Sequence, residues 1–512
     1  MKTRTQQALH NSFSTISIFF LRLIFEFINR LLFLRFLGVY YLGLNGIFTS
    51  ILGTLSLAEL GIGTSITFAL YKPIAESKTR KIVAYMRLYR AIYRVIAFII
   101  LLLGLAVLPF LPTILQESSL TTEVISIYLL FLMNSVMGYL LFSYKQSLLV
   151  AYRENYVISW MNFGIIIVSS LIQWIVLFTT QSYLLVRTLI LLTTLVSNLL
   201  ISYLVDKRHP LNDEEIEPLT PSEKSSLKKN VFGNLAGSIA GAVVFSTDNI
   251  LMSTFISVAT VGLYSNYTII TGSLNSFLSQ LMGSQRSTVG NLVHTSDGEK
   301  VYQMFKRYNF LNFAIAFLFS LSIVILIQPF IMLWLGKEYL LSSRIVALLS
   351  VYTFVQMYRY AGFVFYNAYG LYWESRHKPI AEAVLNLTLS LLFLAVFKWG
   401  IEGILLGTIC STLLTNTWFE PYIIFKYGLK RPITEFVWTN VKQWGLFFGV
   451  LGLIHWLNTL LVLPYGLLPW LCAATLTVLA LSSIIFLVYN KNEEFKWWWQ
   501  LLTSRFAKLI RK

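Results

Sequence analysis

Arg22, Glu26 and Arg30 stand four residues apart in a stretch, Phe20 to Phe36, whose only other polar members are Asn29 and Arg35. On a helix turning 100° per residue the three charges fall within about 80° of one another, and Thr15 and Asn29 share their stripe. A central arginine costs roughly 2.5–3.5 kcal/mol on the insertion scale, so such a stripe is expected to face the bundle interior or water. A carboxylate between the two arginines can neutralise a neighbour at i+4 or carry a proton, so simple pairing of Glu26 with Arg30 is the structural alternative. Arg35 lies near the outer end of the run and is read as reaching for the interface.

Further candidates lie along the chain. Glu59 sits mid-run in "SLAELGIGTSI", followed by Gly61 and Gly63, which lack the third glycine and preceding strand of a dinucleotide fingerprint. Asn234, Gly237, Ser238, Gly241 and Asp248 fall on one helical face; Asp248 is read as lining a site or as an interhelical hydrogen-bonding group. Gln356, Arg359 and Tyr366 recur at helical spacing in the tyrosine-rich "MYRYAGFVFYNAYGLYW", and Arg286 precedes a basic connection. Aromatic faces suit sugar rings, but tyrosine also favours membrane interfaces. His455 stands alone on an apolar helix and is read as core. No HExxH motif, P-loop or nucleophile motif occurs, so no enzyme chemistry and no cofactor is expected. Cys410 and Cys472 fall inside apolar runs, leaving neither a disulfide framework nor a cysteine metal site.

The elements that carry these residues are membrane helices. Across 512 residues, 56% are hydrophobic and 12% charged, with a mean hydropathy of +0.68, which excludes an ordinary soluble protein. Spans are expected at 13–37, 43–71, 92–112, 122–146, 156–178, 183–205, 231–255, 259–285, 308–331, 344–370, 380–398, 401–425, 441–462 and 466–489. The first run is too long and too charged for a signal-peptide core and is read as retained. The fold class is thus an all-α polytopic membrane protein of about 14 transmembrane helices.

Of the 40 basic residues, 32 fall on the side of the membrane that holds the N-terminus and three, Lys337, Arg344 and Lys398, on the other. The positive-inside rule therefore places both termini in the cytoplasm, and the net charge of +17 is explained by the anionic inner leaflet rather than by nucleic acid. Lys78 to Arg94 and the tail "EFKWWWQLLTSRFAKLIRK" mix apolar and basic residues as helices lying in that interface do.

An internal repeat organises the spans. A shift of 219 aligns Gly43-Leu44 with Gly262-Leu263 and Tyr89 with Tyr308; one residue more aligns Pro109-Phe110 with Pro329-Phe330 and Glu154 with Glu374. Asn29 aligns with Asp248. Two parallel six-helix repeats follow: a first lobe over 1–205, a polar linker over 206–229, a second lobe over 230–427, two additional helices over 428–489 and an amphipathic basic tail over 490–512. The two polar stripes are expected to face each other across a central cavity.

"YYLGLNGIFTSILGTLSLAELGIGTSITFALYKPIAE", Tyr40 to Glu76, and the basic "KIVAYMRLYRAIYRVIAF" after it resemble the polysaccharide-transporter (Wzx-type) flippases of the multidrug/oligosaccharidyl-lipid/polysaccharide exporter superfamily. The resemblance implies a V-shaped bundle in the bacterial cell membrane and a polyprenyl-diphosphate-linked oligosaccharide as substrate. The polysaccharide polymerase and glycosyltransferases are the implied partners, beside membrane lipids. In related lipid II flippases, arginines of the first two helices and of the second lobe are thought to engage the diphosphate. Arg22 and Arg30 match the first-helix role, the second span offers Glu59 in place of arginine, and Arg359 or Arg286 supplies the second-lobe cation. Asn29, Asn234 and Gln356 are the expected polar lining, and Glu26, Glu59 and Asp248 the candidates for ion coupling. A multidrug or cation antiporter of the same superfamily is the nearest alternative. A membrane glycosyltransferase or polymerase would need a larger external loop than the roughly ten residues at most available here.

Overall fold

In hydrocarbon every backbone N–H and C=O must be satisfied within its own segment, which favours helices for apolar runs of this length. Helix stands at each expected span, and the described residues include no strand. The computed structural model describes the chain except residues 1–3, 57–61, 153, 212–216, 284, 459–465 and 511–512. Side chains of residues 4–17, 64, 143, 155, 226, 229–230, 232–245, 286–287, 458 and 505–510 also lie outside the described part. Eight helices among the described residues are long and apolar enough to cross a membrane.

The chain divides into two compact units, Met1–Gly262 and Leu263–Lys512. The first holds α1 (Arg4–Leu55), α2 (Ile62–Ala75), α3 (Thr79–Val107), α4 (Leu111–Leu115), α5 (Thr122–Leu140), α6 (Gln146–Ala151), α7 (Asn155–Thr180), α8 (Tyr183–Arg208), α9 (Pro221–Phe255) and the start of α10 (Val258–Gly283). The second holds the rest of α10, then α11 (Arg286–Thr295), α12 (Gly298–Trp334), α13 (Ser343–Tyr358), α14 (Tyr360–Tyr369), α15 (Lys378–Leu391), α16 (Gly400–Ile423), α17 (Thr434–Asn458), α18 (Leu467–Tyr489) and α19 (Glu493–Ile510).

In the first unit the first two spans are joined without a polar loop. Gly38 breaks α1 at φ 83°, ψ 177°, a conformation open essentially to glycine alone, and the helix resumes at once. Beyond the break α1 packs backbone to backbone on the α9–α10 turn. A Cβ on Gly43 would lie 2.0 Å from the Val258 carbonyl oxygen, and one on Gly262 2.3 Å from that of Val39. The two glycines that the 219-residue shift pairs thus serve the same close approach. Asn249 donates to the Ser50 hydroxyl at 2.9 Å and Ser253 to the Ile114 carbonyl at 2.6 Å, tying α9 to this unit.

Two expectations change here. The stretch Lys78 to Arg94 does not form a separate surface helix: it is the start of α3, with Ile82, Tyr85 and Tyr89 each 5% exposed or less. Its apolar face is covered by protein rather than lipid, with α5 and α2 packed on α3. The expected linker is also half helical. Thr220 and Glu223 form a capping box, with Pro221 at the first helical position, that starts α9 ten residues before the expected span. Lys81 of α3 holds the Glu223 carboxylate at 2.7 Å and Glu217 at 3.4 Å.

In the second unit α12 is the central post. Phe305, Phe313 and Phe317 on α12, Phe354 on α13 and Phe447 on α17 are all buried, and Phe354 stacks on Phe447 with centroids 3.9 Å apart. The two additional helices, which the sequence leaves without a role, complete this core: Trp444 of α17 packs on Tyr358, and Tyr489 of α18 on Phe310 and Phe313. The tail forms helix α19, and part of its apolar face docks on α12. Trp498 donates to the Arg307 carbonyl at 2.9 Å, and Phe495 packs on Phe310. The expected tenth span is broken between α13 and α14. Asn312, fully buried on α12, donates to the carbonyls of Met357 and Tyr358 at 3.0 and 2.7 Å, supplying partners that the interrupted helix lacks.

Gly38→Ala is expected to cost about 1–3 kcal/mol, read as a lower melting temperature of the purified protein in detergent. Asn312→Leu, which leaves two buried carbonyls without that donor, is expected to cost about 1–3 kcal/mol in the same assay. Glu223 is held down to about 2, first by the Lys81 ammonium and then by the Thr220 N–H. Its stabilising contribution is therefore complete above about pH 4.5 and is lost as pH falls towards 2. Amide exchange at the α9 N-terminus, corrected for intrinsic rates, should accelerate over that window, and Glu223→Gln should remove the pH dependence.

Candidate functional site

One polar side chain ties α1 to α7. Asn29 donates to the Ser170 hydroxyl of α7 at 2.9 Å and accepts from the Trp174 indole at 2.6 Å, while Phe25 stacks on the same indole with centroids 5.9 Å apart. These contacts use both ends of the Asn29 amide. Asn29 was expected to line a site; in the structure it is the clamp that orients α1. The adjoining arc carries Arg22 and Glu26, both exposed, and Arg30, half-buried. Glu26 acts electrostatically on Arg30 one turn further on. Among the described residues no carboxylate forms an ion pair with Arg22. Arg35 is exposed, as its place near the end of the run suggests.

Several expected residues fall where the structure says little. Glu59 and Gly61 lie outside the described residues; Asn234, Gly237, Ser238 and Gly241 are on α9 and Arg286 opens α11, with their side chains outside the described part. Asp248 is half-buried on α9, beside the Asn249 that binds Ser50.

Arg359 has a different setting from that of α1. It stands at the break between α13 and α14 and grips Glu420 of α16 with two donors, Nε at 3.2 Å and Nη2 at 2.7 Å. Lys378 of α15 donates to the same carboxylate, Glu382 lies 3.8 Å from Arg359, and Asn416 donates to Glu382. Gln356 accepts from Arg359 at 3.5 Å. Two cations thus face two carboxylates in a neutral cluster that fastens the broken helix to α15 and α16. The sequence could not pair them, because Glu382 and Glu420 lie 23 and 61 residues beyond Arg359. A polar cavity of about 180 Å³ lies nearby in the same unit, lined by Lys306, Asn309, Glu435, Gln443 and Glu494 among others. Its charges also meet each other: Lys306 is 3.3 Å from Glu435 and 3.7 Å from Glu494.

One cation escaped the sequence analysis. Arg187, in the first turns of α8, is only 7% exposed and lies with its guanidinium carbon 3.3 Å from the centroid of Phe131. It belongs to neither side in the count of basic residues, and that membership of a span was the available signal.

No protein-family model matches the chain, and no curated protein matches it. Solved structures do. The chain is similar to the lipid II flippase MurJ in an inward closed conformation, at 16% identity and a TM-score of 0.63, covering 93% of this chain and 98% of that one. It is similar to an inward-facing multidrug resistance MATE family transporter of the MOP superfamily, at 13% identity and a TM-score of 0.62, covering 78% of this chain and 94% of that one. A point mutant of the Vibrio cholerae MATE transporter VcmN follows, at 14% identity and a TM-score of 0.57, over 83% of this chain and 97% of that one. At such identities the likeness speaks for the architecture alone: the chain is a multi-pass membrane protein, helical and without strands over the described residues, with the fold of these solved structures.

Proposed function

We propose that this protein is a flippase that moves polyprenyl-diphosphate-linked oligosaccharide repeat units from the cytoplasmic to the outer leaflet of a bacterial cell membrane, for capsule, exopolysaccharide or O-antigen synthesis. The observation that carries this reading is the α1 arc, with Arg22 and Arg30 on the stripe that also holds the Asn29 clamp and Arg22 exposed and in no ion pair among the described residues. An apolar helix tolerates such cations when they meet water or an anion. The likeness to a lipid II flippase supports the class of substrate.

A diphosphate and several sugars cannot enter hydrocarbon unaided, since bare charges and unpaired hydroxyls there cost several kcal/mol or more each. In the proposed mechanism Arg22 and Arg30 hold the diphosphate in an aqueous path that opens alternately to the two sides, while the prenyl chain stays in lipid. Because Arg359 is engaged by Glu420, Arg286 is the better second-half cation. Asn234 and Gln356 supply amide groups for the sugars, and Glu26, Glu59 and Asp248 are the groups for coupling to an ion. With both termini cytoplasmic, an inside-negative potential favours outward movement of the anion by roughly 2.3 kcal/mol per charge per 100 mV. The polymerase and glycosyltransferases of the same biosynthesis are the proposed partners.

A cation antiporter is the second reading, favoured by the multidrug transporters among the neighbours. It predicts efflux of cationic dyes and no dependence on α1 arginines for lipid transport. Proteoliposomes containing a fluorescent diphosphate-linked sugar lipid separate the two. Replacing Arg22 and Arg30 together by alanine should slow its translocation by roughly tenfold or more, equivalent to one charge-assisted contact. Undiminished translocation in that variant, at equal protein incorporation, would end the assignment.

A further inference from the structure

Arg187 is a buried cation that, among the described residues, makes no ion pair and no hydrogen bond, and its Nε is buried without a partner. Phe131 supplies one face of its ring, and that ring is itself held edge-on by Phe48, with centroids 5.5 Å apart. Tyr183, one turn before Arg187, donates its hydroxyl proton to Asn45 at 3.4 Å, and Tyr41 donates to Glu123 at 2.9 Å.

A ring face compensates only part of the cost of desolvating a guanidinium. What remains favours an anion. The planar fork matches two oxygens of a phosphate, and the ring beneath it keeps the guanidinium in one plane. The N-terminal turns of α8, where Arg187 sits, add the positive end of the helix dipole.

We propose that Arg187 is a binding residue for a phosphate-type oxyanion, with Phe131 as its platform. The topology proposed above puts it towards the outer side, so that this site deepens the flippase reading as a second station for the headgroup, distinct from Arg22 and Arg30. The oxyanion is delivered by the carried lipid, by a bilayer lipid or by a soluble phosphate.

Inorganic diphosphate titrated onto the full chain in phosphatidylcholine nanodiscs tests this, with Arg22→Ala and Arg30→Ala present throughout so that α1 does not contribute. Binding should be measurable and should weaken roughly tenfold or more in Arg187→Gln. Arg187→Lys, which keeps the charge and loses the fork, should fall between the two and guards against a glutamine variant that does not fold. Repeating the titration in discs containing phosphatidylglycerol identifies the source: competition there marks a bilayer headgroup as the natural occupant, and its absence marks a carried or soluble phosphate. Affinity equal to that of the parent chain in either folded variant overturns the proposal, and so does a parent chain that binds no diphosphate. Either result leaves lipid translocation by the wild-type chain as a separate question, so the two readings fail separately.

Discussion

A guanidinium at bilayer depth costs roughly 2.5–3.5 kcal/mol on insertion scales and more in simulations, so each arginine inside a span needs something to compensate it. The second unit answers with carboxylates: Arg359 and Lys378 meet Glu420 and Glu382, and the cluster holds together three helices. The first unit answers with a ring face at Arg187 and leaves Arg22 exposed on the stripe beside the Asn29 clamp. One set of cations is thus consumed by architecture, and the other is the set that the proposed function assigns to a ligand.

The same constraint governs the backbone. The helix interruption between α13 and α14 falls at a charged group, Arg359. An interrupted membrane helix exposes carbonyls that hydrocarbon cannot satisfy, and Asn312 meets that need for Met357 and Tyr358. Gly38 solves a related problem by letting two spans follow each other across a single residue.

What the sequence could show depended on whether the deciding partner was nearby. Apolar period and length place the helices, and the 219-residue shift pairs Gly43 with Gly262, two positions where the structure permits no side chain. The start of α9 was readable from Thr220, Pro221 and Glu223, a local capping signal obscured by the polar composition around it. By contrast, the burial of Ile82, Tyr85 and Tyr89 depends on neighbouring helices such as α5 and α2, and a basic amphipathic stretch looks alike whether lipid or protein covers it. Asn29 and Arg359 looked like site residues because they are polar and mid-span; Ser170, Trp174 and Glu420, which occupy them, lie 141, 145 and 61 residues away.

The α1 arginines make sense on this account only if the moving group is an anion. Current recorded from proteoliposomes on a solid-supported membrane, on addition of a diphosphate-linked sugar lipid, measures the sign of the carried charge directly. The account predicts a transient of negative charge moving with the lipid, faster when the cytoplasmic side is made negative. A current carried by cationic drugs, with no signal from the lipid-linked sugar, would contradict it.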